Sequence, residues 1–312
     1  MPKERTHWWL AAAAQQRLAQ HRPLKKLLEA EQHAWLIGTV LPDTLLHLIR
    51  GPWSATALQL AHDFHEPQEH SYLPLIRFTE RTGLDIDRLA SDPRAQRDVV
   101  VCLLGIAAHM EADIVFHPYI GTLSGDDLCR HYYIETELDL RLLHGERQPP
   151  ILHLRQLLHG QLPDVAVQVI RGVFDPQGKL PSDAVRQALQ LHSRIQAMYN
   201  APAWQLLAYG LSLLPSPGLR CRQHLFYPLR TRADDRPAWP EHWQHPITGK
   251  QRHASPDDLA EEAITRIVNL LCRVEDEGLT AAFRRQPGEN LVTGVVVPHR
   301  HIPTAAGAAA LQ

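Results

Sequence analysis

The chain has 312 residues, enough for one large globular domain or two ordinary ones, and 44% of them are hydrophobic. Its 32 basic and 34 acidic residues give a net charge of −2 at pH 7, so no overall basic field predicts binding to nucleic acid or to anionic lipid. The four cysteines are widely separated and form no C-x-x-C pair, which argues against a thiolate zinc finger or a disulfide scaffold and suits a reducing compartment.

The first half of the chain reads as a series of helices. Residues 7–20 are rich in helix formers, and further helical patterns cover residues 33–40, 54–64 and 72–82. The apolar stretch from Trp8 to Ala14 is too short to cross a bilayer and has no signal-peptide cleavage pattern after it. We therefore expect a cytoplasmic protein with no membrane span.

Residues 98–116 form the most apolar predicted helix, which Pro118 is expected to end. Further helices are predicted at residues 128–144, 151–159, 163–172, 181–199 and 201–214, followed by a long irregular segment over 215–256 and a helix that begins at Ser255. No repeat and no convincing set of strands is present. The sequence predicts one all-α domain over residues 1–278 and a loosely ordered tail over residues 279–312.

Three ionisable side chains lie on one face of the most apolar predicted helix. His109, Asp113 and His117 are four residues apart, and each step of four turns a side chain by only about 40° around the helix axis. Burying three such groups costs several kcal/mol each unless they are paired or bound to metal. A second pair at the same spacing, His131 and Glu135, follows on the next predicted helix.

Two successive helices that present histidines and carboxylates inward are typical of multinuclear metal sites in helical proteins. A lone histidine on an apolar face is more often a satisfied core residue, but two such pairs on successive helices favour a metal site. Imidazole and carboxylate without thiolate suit zinc, with iron or manganese as alternatives.

The central segment resembles the zinc-dependent phospholipase C family, which includes bacterial phosphatidylcholine-hydrolysing enzymes and clostridial alpha-toxin. The similarity is carried by Gly105-Ile-Ala-Ala-His-Met-Glu-Ala-Asp-Ile-Val-Phe-His-Pro-Tyr119, followed by His131-Tyr-Tyr-Ile-Glu135. Weaker matches lie on both sides: Thr6-His7, Gly38-Thr-Val-Leu-Pro-Asp43, His62-Asp-Phe-His-Glu-Pro67 and Trp243-Gln-His-Pro-Ile-Thr-Gly249. The resemblance covers nearly all of residues 1–275 and implies an all-α fold.

The resemblance also implies a metal site with two or three zinc ions. One ion would be held by Asp43, His65, His109 and Asp113, a second by His117, His131 and Glu135, and a third by His7 with Asp113 as the bridge. His62 and His70 compete with His65 for its role. In secreted members a processed N-terminal residue completes the third shell, and here the amine of Pro2 is a candidate if Met1 is removed.

Hydrolysis of a phosphoester by a metal-activated water is the activity that this resemblance implies, with Asp43 as general base. The substrate would be a small-molecule or lipid phosphoester. Two alternatives stay open. The chain could be an intracellular enzyme with two or three metal ions that acts on a small metabolite, as a phosphatase, a nuclease-like enzyme or an iron-dependent redox enzyme. It could also be a metal-stabilised binding protein without turnover.

Most of the remaining histidines have no ligand spacing and are interpreted as surface or outer groups around the site. They are His33, His47, His153, His159, His192, His224, His242, His245 and His253. Asp139, one turn after Glu135, either orients a ligand histidine or lies on the helix surface. Trp8 and Trp9 are interpreted as core residues.

Overall fold

The structure is a computed structural model that describes residues 3–84, 93–144, 147–228 and 237–296. Within these ranges it is helical almost throughout, which confirms the prediction of an all-α protein. Helices α1 to α7 span Glu4–Arg17, Pro23–Ala30, Gln32–Gly38, Leu41–Thr44, Ser54–His65, Leu73–Thr82 and Arg94–Ser124. Helices α8 to α14 span Leu128–Leu142, Leu162–Val173, Ser182–Tyr199, Pro202–Ser212, Pro217–Gln223, Pro256–Glu277 and Leu279–Arg284.

Helix α7 is the centre of the molecule. Nearly every residue from Asp98 to Ile120 is buried, and α1, α3, α8, α9 and α13 pack around it. Its contact with α3 depends on two glycines, because a Cβ on Gly105 would lie 2.5 Å from the carbonyl oxygen of Trp35 and 2.7 Å from Cα of Gly38. Two backbones can approach this closely only where neither residue carries a side chain.

The described part of α7 contains two buried carboxylates outside the predicted ligand set, Asp98 near its start and Glu111 in its middle. Glu111 accepts a hydrogen bond from the hydroxyl of Tyr72 at 2.5 Å and forms an ion pair with Arg266 of α13. Arg266 also pairs with Glu289 at 2.6 Å. These partners explain Glu111 as a buried group that fastens α7 to α13 and to the segment after α14.

The prediction that Pro118 ends this helix is wrong, because α7 continues to Ser124. Proline has no N–H to donate to the carbonyl of Ile114. A turn near residue 294 packs at this place, where a Cβ on Gly294 would lie 2.9 Å from the oxygen of Ile114 and 2.8 Å from Cγ of Pro118. Gly294 has φ of 61°, a left-handed conformation that glycine adopts freely.

Two other predicted segments differ from the structure. Residues 151–159 contain only a 3-10 turn over Leu154–Gln156. The segment 215–256 is less irregular than predicted, because it contains α12 and an antiparallel hairpin of His242–Gln244 (β1) with Gln251–His253 (β2). Each strand has only three residues, too short a pattern to recognise from alternation.

The first part of the predicted tail packs into the core instead of being loosely ordered. Helix α14 buries Leu279, Ala282 and Phe283, and Leu291 after it is fully buried. The spacing of these apolar residues gives the helix a face to bury against α6 and α13. Residues 297–312 lie outside the described residues.

A disulfide joins Cys129 at the start of α8 to Cys221 in α12. The pairing differs from the expectation of reduced thiols, since disulfides persist mainly in oxidising compartments. The two cysteines are 92 residues apart, and no local pattern in the sequence predicts that they meet. The disulfide fastens the α11–α12 segment to the helix that carries His131 and Glu135.

Candidate metal centre

Helix α7 brings its three ionisable residues to one buried face, as their spacing predicts. Nε2 of His109 lies 3.1 Å from Oδ2 of Asp113, and Nδ1 of His117 lies 3.9 Å from the same oxygen. His109 and Asp113 are completely buried and His117 is nearly so. Asp113 is therefore at the centre of the cluster, with one histidine a turn before it and one a turn after it.

Backbone carbonyl groups orient three of the predicted ligand histidines. Nδ1 of His109 donates to the carbonyl of Thr39 at 2.8 Å, and Nδ1 of His117 donates to that of Leu291 at 2.6 Å. Nδ1 of His65 donates to the carbonyl of Ala61 at 2.8 Å. Each bond leaves Nε2 with its lone pair available, the arrangement that metal-binding histidines generally show.

Asp43 and His65 meet opposite α7. Asp43 lies in the short helix α4, and its Oδ1 lies 3.4 Å from Nε2 of His65, the last residue of α5. The competing histidines are elsewhere: His62 is exposed, and Nε2 of His70 bonds the carbonyl oxygen of Gln286 at 2.8 Å. The geometry therefore favours His65 over both alternatives.

His7 reaches the cluster from α1. Its ring stacks on the ring of His109 with centroids 4.2 Å apart, and its Nε2 lies 3.5 Å from Oδ1 of Asp113. The adjacent residue, Thr6, donates its backbone N–H to Asp139 at 2.9 Å, and its hydroxyl bonds the same carboxylate. Asp139 is thus neither a partner of a ligand histidine nor a surface group: it holds the start of α1, and with it His7, against α8.

A second group lies at the junction of α7 and α8. His131 and Glu135 are in contact through Nε2 and Oε1 at 2.8 Å, and the His131 ring lies 6.4 Å from that of His117. Ligand atoms of these three residues all lie within 4.8 Å of one another. His131 is more accessible than the other members, so this group faces the outside of the cluster.

Two more sets within the same distance contain residues of this cluster: His7 with His109 and Asp113, and Asp43 with His65 and His109. Both sets contain His109, whose Nδ1 is already bonded to Thr39. Because the two sets share His109, they line one continuous pocket. A single imidazole nitrogen binds one ion, so His109 can be a ligand of only one of two neighbouring cations.

Unpaired polar atoms converge in this pocket. Among the described residues, seven buried side-chain atoms of the cluster have no hydrogen-bond partner. They are both ring nitrogens of His7, Nε2 of His65 and of His109, Oδ1 of Asp43 and both oxygens of Asp113. Leaving so many buried donors and acceptors unpaired costs several kcal/mol. Lone pairs that point at one another need a cation between them, and the donor set suits zinc.

Burial and neighbouring charges shift the pKa values in opposite directions. Burial, with His109 nearby, lowers the pKa of His7 to about 4. Burial opposes protonation of His109 too, but the carboxylates of Asp113 and Asp43 raise its pKa to about 9. Burial would raise the pKa of Asp113, yet His109 and His117 hold it well below the usual range. The buried carboxylates are therefore ionised, and a positive charge beside them stabilises this state.

Sequence reasoning missed the supports of this site. The carbonyl of Leu291 belongs to a segment predicted as a tail, and 174 residues separate it from His117. Any residue can offer a carbonyl oxygen, so no sequence signal marks it. The start of the chain, including the Pro2 amine considered above, lies outside the described residues. Trp8 is fully buried, as predicted for a core residue.

Comparison with known proteins identifies one family. A family model described as zinc dependent phospholipase C matches residues 6–166, slightly more than half of the chain. The matched range contains all eight predicted ligands, from His7 to Glu135. No curated protein and no solved structure is significantly similar to the chain.

Proposed function

Because the chain belongs to the zinc-dependent phospholipase C family, we propose that it hydrolyses a phosphodiester of a phospholipid at the cluster around Asp113. The observation that carries this proposal is the convergence of unpaired buried nitrogen and oxygen atoms from α1, α4, α5 and α7. A protein that used these residues only for packing would have paired them with one another or with the backbone.

The residues fit a site for two or three zinc ions. His117, His131 and Glu135 would hold one ion, and Asp43, His65, His109, Asp113 and His7 would hold the others, with Asp113 between them. Zinc supplies Lewis acidity, which lowers the pKa of water toward neutrality and neutralises charge on a phosphoryl group. No redox step is needed for this chemistry, so we favour zinc over iron or manganese.

Asp43 is proposed as the general base. Its Oδ1 is buried and has no hydrogen-bond partner among the described residues. Burial would raise the pKa of this carboxyl, but His109 and His65 lower it far below the usual range. Asp43 is therefore ionised, the state that both a metal ligand and a general base require.

The apolar shell of α7 contributes by keeping bulk water out. Leu103, Ile106 and Phe116 are buried beside the ligands, so the charges in the pocket act in a medium of low dielectric. In such a medium the carboxylates and imidazoles stabilise opposite charge much more strongly than they would in water.

The test compares Asp43→Asn with the exposed-carboxylate control Asp63→Asn. We expect Asp43→Asn to lower hydrolysis of a chromogenic phosphocholine ester by roughly 10²–10⁴-fold, the usual contribution of a general base, while Asp63→Asn leaves it unchanged. A bis-phosphodiester of nucleotide type, assayed in parallel, separates lipase-like from nuclease-like activity. Unchanged hydrolysis by Asp43→Asn would remove Asp43 from the reaction, and preference for the nucleotide-type ester would contradict the lipid substrate.

A further inference from the structure

A second cluster of metal-ligand residues lies behind the predicted centre. It contains Glu4 at the start of α1, His47 in the 3-10 turn after α4, and His192 in α10. One ligand atom from each of them lies within 4.8 Å of the other two. Glu4 and His192 are buried and His47 is half-buried. None of the three belongs to the ligand set predicted from the sequence.

The outer hydrogen bonds of the two histidines turn their Nε2 atoms toward Glu4. Nδ1 of His47 donates to the carbonyl of Asp43 at 3.0 Å. Nδ1 of His192 lies 3.2 Å from the hydroxyl of Thr44, which can accept a hydrogen bond from it while donating to the carbonyl of Val40. Both imidazoles then present an Nε2 lone pair to the inside of the cluster.

Glu4 meets these lone pairs with a carboxylate, which is also an acceptor. Its Oε1 lies 3.3 Å from Nε2 of His192, and the rings of His192 and His47 stack with centroids 3.9 Å apart. With the proton on Nε2 of His192 this contact is a hydrogen bond; with the proton on Nδ1, three acceptors face one another in a buried place and repel unless a cation lies between them. Two histidines and one glutamate form a ligand set that binds zinc readily, with outer partners that fix the imidazoles.

We propose that Glu4, His47 and His192 bind one further zinc-type cation, separate from the ions at the Asp113 cluster. The cation would join three elements that are distant in sequence. Glu4 is three residues before His7, and His47 is one turn after Asp43. The further site would therefore fix the chain just before His7 and just after Asp43, in the two segments that carry these residues to the predicted centre.

The test is diffraction from zinc-loaded crystals of the full chain at the zinc absorption edge. We expect an anomalous peak between Glu4, His47 and His192 in addition to peaks at the Asp113 cluster. Peaks at the Asp113 cluster with none at this place would overturn the further site and leave the proposed function standing. In that case the contact between Glu4 and His192 is a hydrogen bond without a metal ion.

Zinc content in solution gives an independent check. Glu4→Gln and His192→Gln should each bind one equivalent of zinc less than the wild type, and Glu29→Gln, an exposed glutamate on α2, should bind as much as the wild type. Because the two variants alter different helices, loss of the same single equivalent in both cannot come from damage to α1 alone. Wild-type zinc content in either variant would contradict the proposal.

An apolar surface on α11 carries a second, independent inference. The surface consists of Trp204, Leu206, Leu207, Tyr209, Leu211, Leu213 and Leu214, with exposed fractions from 38% for Leu211 to 71% for Leu213. Ser212 is the one buried residue of this fully described helix. Large apolar side chains that crowd one exposed helix mark an interaction surface, because isolated proteins rarely expose so many together.

The charged residues in the sequence around this helix are all basic. No aspartate or glutamate occurs in residues 184–233, although the chain has 34 acidic residues, and the same stretch contains six arginines. Arg194 on α10 and both Arg220 and Arg222 on α12 are exposed. The net charge of the whole chain hides this local excess. Apolar and aromatic side chains bordered by arginines are the composition of helices that lie in the surface of an anionic membrane.

The geometry points to docking of the α11 surface on an anionic phospholipid membrane. This inference rests on the proposed function, because docking would serve an enzyme whose substrate is a phospholipid. At 11 residues, α11 is too short to span a bilayer and would lie in its surface. Helix α11 packs on α12, which the Cys129–Cys221 disulfide joins to α8, the helix of His131 and Glu135. Docking would thus bring the outer metal group close to the lipid headgroups.

The test is sedimentation of the full chain with vesicles. We expect binding to mixed phosphatidylcholine–phosphatidylserine vesicles that weakens by roughly tenfold or more in Leu206→Gln/Leu213→Gln, because less apolar area enters the lipid. The matched control, Leu58→Gln/Ile247→Gln, removes exposed apolar residues elsewhere and should bind like the wild type. Binding should also weaken on vesicles of phosphatidylcholine alone.

Two results would overturn membrane docking. One is equal binding by the Leu206→Gln/Leu213→Gln variant and the wild type. The other is a wild-type dimer in sedimentation velocity that this variant converts to a monomer, which would assign the surface to a second copy. Hydrolysis of the soluble chromogenic ester should be the same in the variant and the wild type. Loss of vesicle binding therefore stays distinguishable from failure of the proposed chemistry.

Discussion

Helices α7 and α11 are both strongly apolar, but the protein places them in opposite environments. Helix α7 is long and apolar enough to cross a membrane by composition, yet its most apolar window is wholly buried inside the protein. Helix α11 exposes nearly all of its large side chains. In α7 the informative residues are the few polar ones, since a buried charge needs a partner. In α11 the informative residues are the apolar ones, since a large exposed apolar surface is typical of an interaction site.

The largest effect is expected from removing a polar group of α7. His109→Ala should reduce hydrolysis to background and lower zinc content by at least one equivalent, because Nε2 of His109 belongs to two of the ligand sets. Zinc analysis and the chromogenic ester assay measure both effects. His62→Ala, which removes an exposed histidine, is the control; a wild-type result for His109→Ala would place the metal elsewhere.

The disulfide between the two regions is the next test. Cys221→Ser should lower the free energy of unfolding by about 2–4 kcal/mol, because the bond closes a loop of 92 residues in the unfolded chain. Denaturant unfolding of variant and wild type measures the difference. Cys272→Ser changes an unpaired cysteine and should have little effect. Equal stability of Cys221→Ser and the wild type would contradict the pairing.

A smaller loss of stability is expected where α7 touches α3. Gly105→Ala should cost about 1–3 kcal/mol, because the added methyl group would meet backbone atoms of Trp35 and Gly38 that cannot rotate away. Thermal unfolding with and without zinc reports the change. An alanine tolerated at position 105 without loss would mean that the two helices are farther apart than described.

The matched substitution in α11 should have the opposite sign and the smallest size. Gly210 has no atom within 4 Å of an added Cβ, and it lies inside the helix. Gly210→Ala should therefore raise the free energy of unfolding by about 0.5–1 kcal/mol, through the higher helix propensity of alanine. Destabilisation by this variant would show that α11 is covered in the protein, contrary to its exposed position.

The part of the site that lies on single helices could be predicted from the sequence. Spacing of four residues put His109, Asp113 and His117 on one face and paired His131 with Glu135, and burial made a metal the best explanation. The all-α fold followed from the helical patterns in the same way. These signals are local, so they do not depend on how the helices pack.

The rest depends on contacts between distant residues. Glu4 and His192 are 188 residues apart, and no other member of their cluster lies on the same helix as either of them. His47 and His192 were accordingly interpreted as scattered histidines. Pro118 was expected to end its helix because the sequence does not show that Gly294 packs against it. Gly294 has no side chain, so its turn can lie over the carbonyl of Ile114, which receives no hydrogen bond from Pro118.

The central claim is that the residues around Asp113 hold the zinc needed for hydrolysis. Its most direct test is to remove metal with a chelator and then measure hydrolysis of the chromogenic phosphocholine ester against added equivalents of zinc. We predict no activity in the metal-free protein and full recovery only after at least two equivalents are bound. Full activity in protein shown by elemental analysis to contain no metal would contradict the claim.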